Sequence, residues 1–340
     1  MATPSPTVEF DNWEVLLTDW TGDTELTEFT DRVLSKHHVA AIATVTDGVP
    51  RVATRGIEPT ADFEIGSISK GITALLYSEA LADGLIDETT VIGDLLPVAS
   101  DTDVAKVPLR AISTHRSGLP SLPPAMKPYR RSATWLVKGV NPYGETLDEL
   151  LQQVATIRIR STEPTYSNLG FQLLGHAVAR ARGVSYQRLL NDRITEPLGL
   201  STFYVPYSQD EVRSTGLVGT NRSRSKPRQP WVGEAFAPCG GIRADIGSMR
   251  DLLLALLTET APGMAALDPV EPYSGRIQIG AAWLTQFTNG IEITWHNGAT
   301  GGFRSWMGVD RVRNNGVVIL TAQHRSVDFA GARMLGELTR

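Results

Sequence analysis

Apolar positions in this chain switch from helical spacing to alternation, lose regularity through the middle, and return to alternation near the end. Residues 25–38 set Leu26, Phe29, Val33 and Leu34 at helical spacing, which predicts an amphipathic helix. VAAIATV, the turn Asp47-Gly48 and PRVATRG then predict a hairpin. A third short strand, ADFEIG, runs directly into SISKGITALLYSEALADG, a predicted helix closed by Gly84. From about 85 to 235 prolines cluster, and the clearest helices are 168–182, stopped by Gly183, and 186–194, stopped near Pro197. After 275, IQIGAAWLTQF, the turn Asn289-Gly290, IEITWHNG, GGFRSWMGVD, the turn Asn315-Gly316 and VVILTAQ predict successive antiparallel strands. DFAGARMLGELTR predicts a terminal helix.

A two-stranded ribbon is barely stable alone. The strands at the two ends are therefore expected to form one sheet. The predicted fold is α/β (α+β): an antiparallel sheet built from both chain ends, flanked by helices, with a mostly helical insert. The expected division is 1–84 with 236–340 as the sheet domain and 85–235 as the insert, with the active site between them.

Composition narrows the function. Of the 340 residues 41% are hydrophobic and 20% charged, which suits a large buried core rather than a disordered chain. A net charge of −5 argues against nucleic acid as the partner. Cys239 is the single cysteine, which excludes an intramolecular disulfide and a thiolate-rich metal site. The six histidines lack ligand spacing, so neither a metal nor a cofactor is expected. MATPSPTVEFDNWEVLL has no basic leader and no apolar core, and no run approaches 18 apolar residues. A cytoplasmic location without membrane contact is the expectation.

The candidate chemistry begins at Ser67-Ile68-Ser69-Lys70. Serine is a poor nucleophile unless a base or a nearby cation helps it, and on a helix positions i and i+3 share a face. About one chance match to so short a pattern is expected, and a second occurs at Ser223-Arg224-Ser225-Lys226. Context separates them. Ser67 sits where a strand turns into an apolar helix, with a free N–H at the helix start, whereas Ser223 lies in a polar loop. Tyr166-Ser167-Asn168 supplies a phenol and an amide, or simply a helix start. Trp295-His296-Asn297-Gly298-Ala299 ends a predicted strand and is either a tight turn or a place where a ligand approaches the backbone.

In this order and spacing the three motifs resemble the class C β-lactamase, D,D-carboxypeptidase and family VIII carboxylesterase group. FEIGSISKGITALL, ISTHRSGLPSLP, EPTYSNLGFQLLGHAVAR, APCGGIRADIGSMRDLL and WHNGATGGFRSWMGVD carry the resemblance across residues 63 to about 310. It implies that Ser67 is acylated, that Lys70 and Tyr166 move its proton, and that the N–H groups of Ser67 and Ala299 form an oxyanion hole. It also implies that Asn168 orients Lys70 and the substrate, with His296, Asn297 and Gly298 bordering it.

Two departures bear on substrate. His296 and Asn297 stand where β-lactamases carry lysine and threonine, and a histidine of ordinary pKa near 6.5 is only a conditional cation. AAWLTQF also lacks an arginine to grip a carboxylate. The expected activity is therefore that of an esterase or amidase on a small acylated metabolite. The alternatives are a D,D-peptidase or β-lactamase, an acyltransferase, and an inactive binding protein on the same scaffold. Residues 126–140 and 212–230 hold nine cations and no acid. If both flank the entrance, the small-molecule acyl substrate is anionic. Oligomeric state is not readable from the sequence.

Overall fold

The computed structural model describes residues 19–123, 138–159, 163–288 and 290–339. Strand β1 (Trp20–Gly22) precedes helix α1 (Thr24–Leu34) and the hairpin β2 (Ala40–Thr46) and β3 (Val49–Arg55). A two-residue strand, β4 (Phe63–Glu64), leads into α2 (Ile68–Ala82). The middle contributes α3 (Ile92–Leu95), α4 (Leu109–Ser113), α5 (Leu147–Val154), α6 (Asn168–Ala181), α7 (Tyr186–Leu190), β5 (Phe203–Tyr204) and α8 (Ala237–Gly240). Then come β6 (Arg243–Ala244), α9 (Ile246–Leu257), β7 (Glu271–Ser274), β8 (Ile277–Ile279), β9 (Leu284–Thr288), β10 (Ile291–Ala299), β11 (Arg304–Asp310), β12 (Asn315–Thr321) and α10 (Asp328–Leu338).

One antiparallel sheet runs β1-β3-β2-β12-β11-β10-β9-β8-β7, so strands from the two chain ends meet at the β2–β12 pair, Ile42 opposite Ile319. Period-two alternation sends the two faces into different cores. Ile42, Ile293, Trp306, Val317 and Ile319 pack outward under α1 and α10 with Leu34, Met334 and Leu335. Ala41, Ala43, Met307, Val318 and Leu320 face inward toward α2 and α9. The predicted sheet, flanked by helices, is the observed one.

Details differ. The strand expected over ADFEIG is only β4, and it pairs with β6, which pairs in turn with β5, in a separate small sheet. IQIGAAWLTQF is not one strand but two, β8 and β9, because Gly280 passes too close to the Ala266 carbonyl for any side chain and Ala282 adopts φ +62°. Asn315-Gly316 lies inside β12 rather than in the turn, which the left-handed Asn314 makes instead. Asn289, of the other expected turn, is outside the described residues, as are the amino-terminal segment and residues 126–137 of the first basic loop. Among the described residues no helix is long and apolar enough to cross a membrane, and no cluster of ligating side chains could hold a metal.

Candidate active site

The turn from β4 into α2 is built around Gly66, whose φ is +55°. A Cβ there would stand 2.6 Å from the Ala299 nitrogen, so a side chain is excluded both by dihedral and by space. Ser67 follows with helical dihedrals, and its hydroxyl caps nothing. Its Oγ instead accepts a hydrogen bond from Lys70 Nζ at 3.0 Å, one turn further on. Lys70 is fully buried. Its second partner is the carbonyl of Cys239, 2.6 Å away in α8. The Cys239 thiol itself is buried and pushed up to about 11, so this residue contributes its backbone oxygen rather than a thiolate.

Strand β10 crosses the same turn. A Cβ on Gly298 would lie 2.0 Å from the Ile65 carbonyl oxygen, and Ser305 Oγ donates to that oxygen at 2.7 Å. This close approach sets the Ala299 backbone against Gly66-Ser67. The start of α2 leaves N–H groups without intrahelical acceptors, and the adjoining Ala299 amide supplies a second donor beside them.

His296 lies on the inner face of β10, 3% exposed and edge-on to Trp283. Its Nδ1–H donates to the Asn297 carbonyl at 2.7 Å. Burial first, then the Lys70 charge, pushes the imidazole down to about 4. The conditional cation expected from an ordinary pKa is thus corrected: near neutral pH His296 is an uncharged wall. Alternation turns Asn297 to the opposite face, where its Nδ2 donates to Asp328 Oδ1 at 2.8 Å and braces β10 against α10. The structure does not bring Asn297 to the same face as His296.

Tyr166 precedes α6, and Ser167 caps that helix by accepting from the Gly170 amide at 2.9 Å. The helix-start reading of this motif is thus observed. The Tyr166 ring lies 4.8 Å from Lys70 Nζ, with the residue 36% exposed. Asn168 makes no hydrogen bond to Lys70 among the described residues; its side chain meets the Tyr143 phenol, and Cys239 holds the lysine instead.

Two groups escaped the sequence reading. His115, at φ +58°, accepts from the Thr165 amide through its carbonyl (2.8 Å) and from the Ser167 amide through Nδ1 (3.3 Å). Its ring lies 4.6 Å from that of Tyr166, so it clamps the tyrosine on both flanks. Burial, reinforced by Lys70 and His296, holds its imidazole well below 6.5. Tyr143 stacks on Phe236 at 4.0 Å, and burial pushes its phenol well up. It borders a cavity of about 650 Å³ lined also by Asn141, Glu145, Glu149, Gln152 and Gln153. A lone histidine in ISTHRSGLP and a tyrosine in a proline-rich insert give no periodic signal. Only the left-handed backbone at His115 marks it, and that is visible in three dimensions alone.

The second serine–lysine match has no such setting. Ser223 is exposed and pairs with Ser225 at 2.9 Å, while the Lys226 amide bonds Asn221.

The family model described as beta-lactamase matches residues 31–339. The D-alanyl-D-alanine-carboxypeptidase/endopeptidase AmpH of Escherichia coli strain K12 is 30% identical over 192 residues, covering 52% of this chain and 43% of that protein. The chain thus spans less than half the length of that relative. The unguisins hydrolase of Aspergillus campestris is 22% identical over 93% of this chain and 64% of its own length. Among solved structures, a class C β-lactamase from Rhodobacter sphaeroides superposes with a TM-score of 0.75 at 18% identity, covering 93% of this chain and 98% of that one. A D-alanine carboxypeptidase from Burkholderia cenocepacia superposes with a TM-score of 0.76 at 19% identity, covering 92% and 99%.

Proposed function

The chain belongs to the β-lactamase family of serine hydrolases, and from that premise we propose that Ser67 is its nucleophile, acting on the ester or amide of a small acylated metabolite. The observation that carries this reading is the buried Lys70 ammonium, which donates to Ser67 Oγ at 3.0 Å and has no carboxylate partner among the described residues. A cation so placed favours the serine alkoxide.

In this mechanism Ser67 Oγ forms a bond to the substrate carbonyl carbon while its proton passes through Lys70 and the Tyr166 hydroxyl to the leaving group. The carbonyl oxygen, negative in the tetrahedral intermediate, lies between the Ser67 and Ala299 N–H groups, each worth a few kcal/mol. The leaving-group bond then breaks, and water attacks the acyl-enzyme along the reverse proton path. His115 keeps Tyr166 in place. Gly298 lets the substrate lie along β10, and Asn168 and Tyr143 face the acyl group.

The uncharged His296 supports a substrate without a carboxylate at that point. Short-chain activated esters should therefore turn over far faster than a chromogenic cephalosporin. A second reading, a peptidase, is favoured by the polar cavity beside Tyr143, whose amides and carboxylates suit an amide-rich acyl group. It is also favoured by the similarity to carboxypeptidases.

A fluorophosphonate should label Ser67 alone by peptide mapping, and Ser67→Ala should lose turnover by three orders of magnitude or more. An adduct elsewhere, or an active Ser67→Ala, overturns the mechanism. A cephalosporin kcat/KM at or above that of the ester overturns the substrate ranking only.

A further inference from the structure

On the outer face of the sheet, under the turn that follows Ala299, lies a recess of about 610 Å³ lined by Lys36, His37, Arg222, Arg304, His324 and Arg325 and by no acidic residue. Arg304 stands two positions before Trp306, so it points to the α1 and α10 side, away from the face that carries His296. None of these four cations makes an ion pair among the described residues, although Arg304 and Arg325 are each half-buried.

Their neighbours do not neutralise them. Arg304 Nη2 donates to His324 Nε2 at 2.7 Å, and His324 Nδ1–H donates onward to the Thr300 carbonyl at 3.0 Å, which fixes that imidazole as neutral. Asp328, whose charge acts on Arg304, forms no ion pair with it among the described residues and accepts instead from Asn297 and Ser326. Arg304 Nε, Arg325 Nε and His37 Nδ1 are shielded from water without a hydrogen-bond partner, and His37 is 5% exposed. Burial first, and then neighbouring cations, lower the imidazoles here: Arg325 acts on His37, Arg224, Arg55 and Arg325 on His38, and Arg304 and Arg228 on His324.

From this arrangement we infer that the recess is a binding site for the phosphoryl group of a small phosphate-bearing molecule. Gathering unpaired guanidinium groups on an acidic chain is costly without an anion, and the planar arginine fork matches phosphate oxygens in pairs. The volume exceeds what one inorganic ion needs and falls in the range of small-molecule sites. A recessed cluster on one face, in a protein of net charge −5, suits a compact ligand rather than an extended polyanion. The site is independent of the acyl chemistry proposed above, and it lies on the opposite face of the Ala299–Arg304 hairpin.

The test is calorimetric titration of the full chain at pH 7.5 and constant ionic strength with inorganic phosphate, phenyl phosphate and acetate. One saturable phosphoryl site is expected in wild type and equally in Ser67→Ala, with acetate inert. Phenyl phosphate binding tighter than inorganic phosphate identifies an organic phosphate as the ligand; equal affinities identify the free anion. Arg304→Gln and Arg325→Gln should each weaken binding tenfold or more. The exposed pair Lys36→Glu with Arg222→Glu, which puts no packing at risk, should weaken it at least fivefold while neutral-ester turnover is retained. Absence of saturable phosphate binding in wild type, or affinity unchanged in the Lys36/Arg222 pair, overturns the inference. Loss of turnover in Ser67→Ala with phosphate binding intact separates this site from the catalytic one.

Discussion

Three imidazoles, His115, His176 and His296, are carried into the interior uncharged. Burial pushes His176 and His296 down to about 4, and His115 lies well below 6.5. Because these folded-state values fall below the unfolded 6.5, unfolding takes up protons between about pH 4 and 6.5. The stability these residues preserve is complete above that window and is lost as pH falls through it. The shift corresponds to on the order of 3 kcal/mol per residue at most, for His176 and His296. Urea unfolding at pH 7.5 and 4.5 should therefore show a steep loss, and His176→Asn should flatten it; equal slopes in the two proteins would contradict the assignment. The same shift bears on the proposed reaction. Between pH 5.5 and 7.5 the kcat/KM profiles of wild type and His296→Asn should have the same shape, and an inflection lost in the variant would return His296 to an ordinary pKa. Sequence located His296 but not its charge state, because burial among Trp283, Lys70 and the β10 backbone depends on strands far apart in the chain.

The turn that carries Ser67 lies where the small three-stranded sheet meets β10 of the large one. β4 leads into Ser67, and Arg243 of the adjoining β6, fully buried, pairs with Asp62 and with Glu64 at 3.3 Å. Removing it strands two buried carboxyl groups, so Arg243→Ala should cost about 3–5 kcal/mol by denaturant unfolding. In front, Gly298→Ala would drive a methyl into the Ile65 carbonyl and Ser305 Oγ. Its kcat/KM should fall 100-fold or more with binding of a substrate analogue less affected, and near-wild-type turnover would show that the β10 approach is not needed. At this scale the apolar pattern read well where burial was continuous: β2, α2, β11 and β12 are buried almost throughout, while β10 alternates. It failed where backbone geometry overrode pattern: at Gly280–Ala282, which breaks one apolar run into two strands, and at Asn314, which takes the turn that Asn315-Gly316 advertised. It also failed at β1 and β7, edge strands too short to show alternation.

At the scale of the molecule, charge is unevenly spread over a protein of net charge −5. The basic segment around Arg222–Arg228 folds onto the turn after Ala299: Gly219 abuts Gly302, and the Thr220 amide bonds the Ala322 carbonyl. The segment carrying Lys138 joins it, since the Gln229 amide bonds the Gly139 carbonyl at 2.7 Å and the Asn141 amide bonds Gln229 Oε1 at 2.8 Å. Lys127, Arg130 and Arg131 lie outside the described residues, while Lys138, Arg213, Arg222, Arg224, Lys226 and Arg228 lie within them. Two loops that are separate in sequence thus meet, one of them against the turn after Ala299, which sequence spacing alone could not reveal. A positive rim on an acidic body raises the local concentration of anions, and this long-range attraction is screened with a Debye length near 10 Å at 0.1 M salt. For an anionic ester, kcat/KM should fall several-fold between about 20 and 300 mM salt, while a neutral ester of equal size changes little. The effect should shrink in Arg222→Gln with Arg224→Gln, whose side chains hold no catalytic position. Equal salt dependence of the two esters would make both loops ordinary solvated surface.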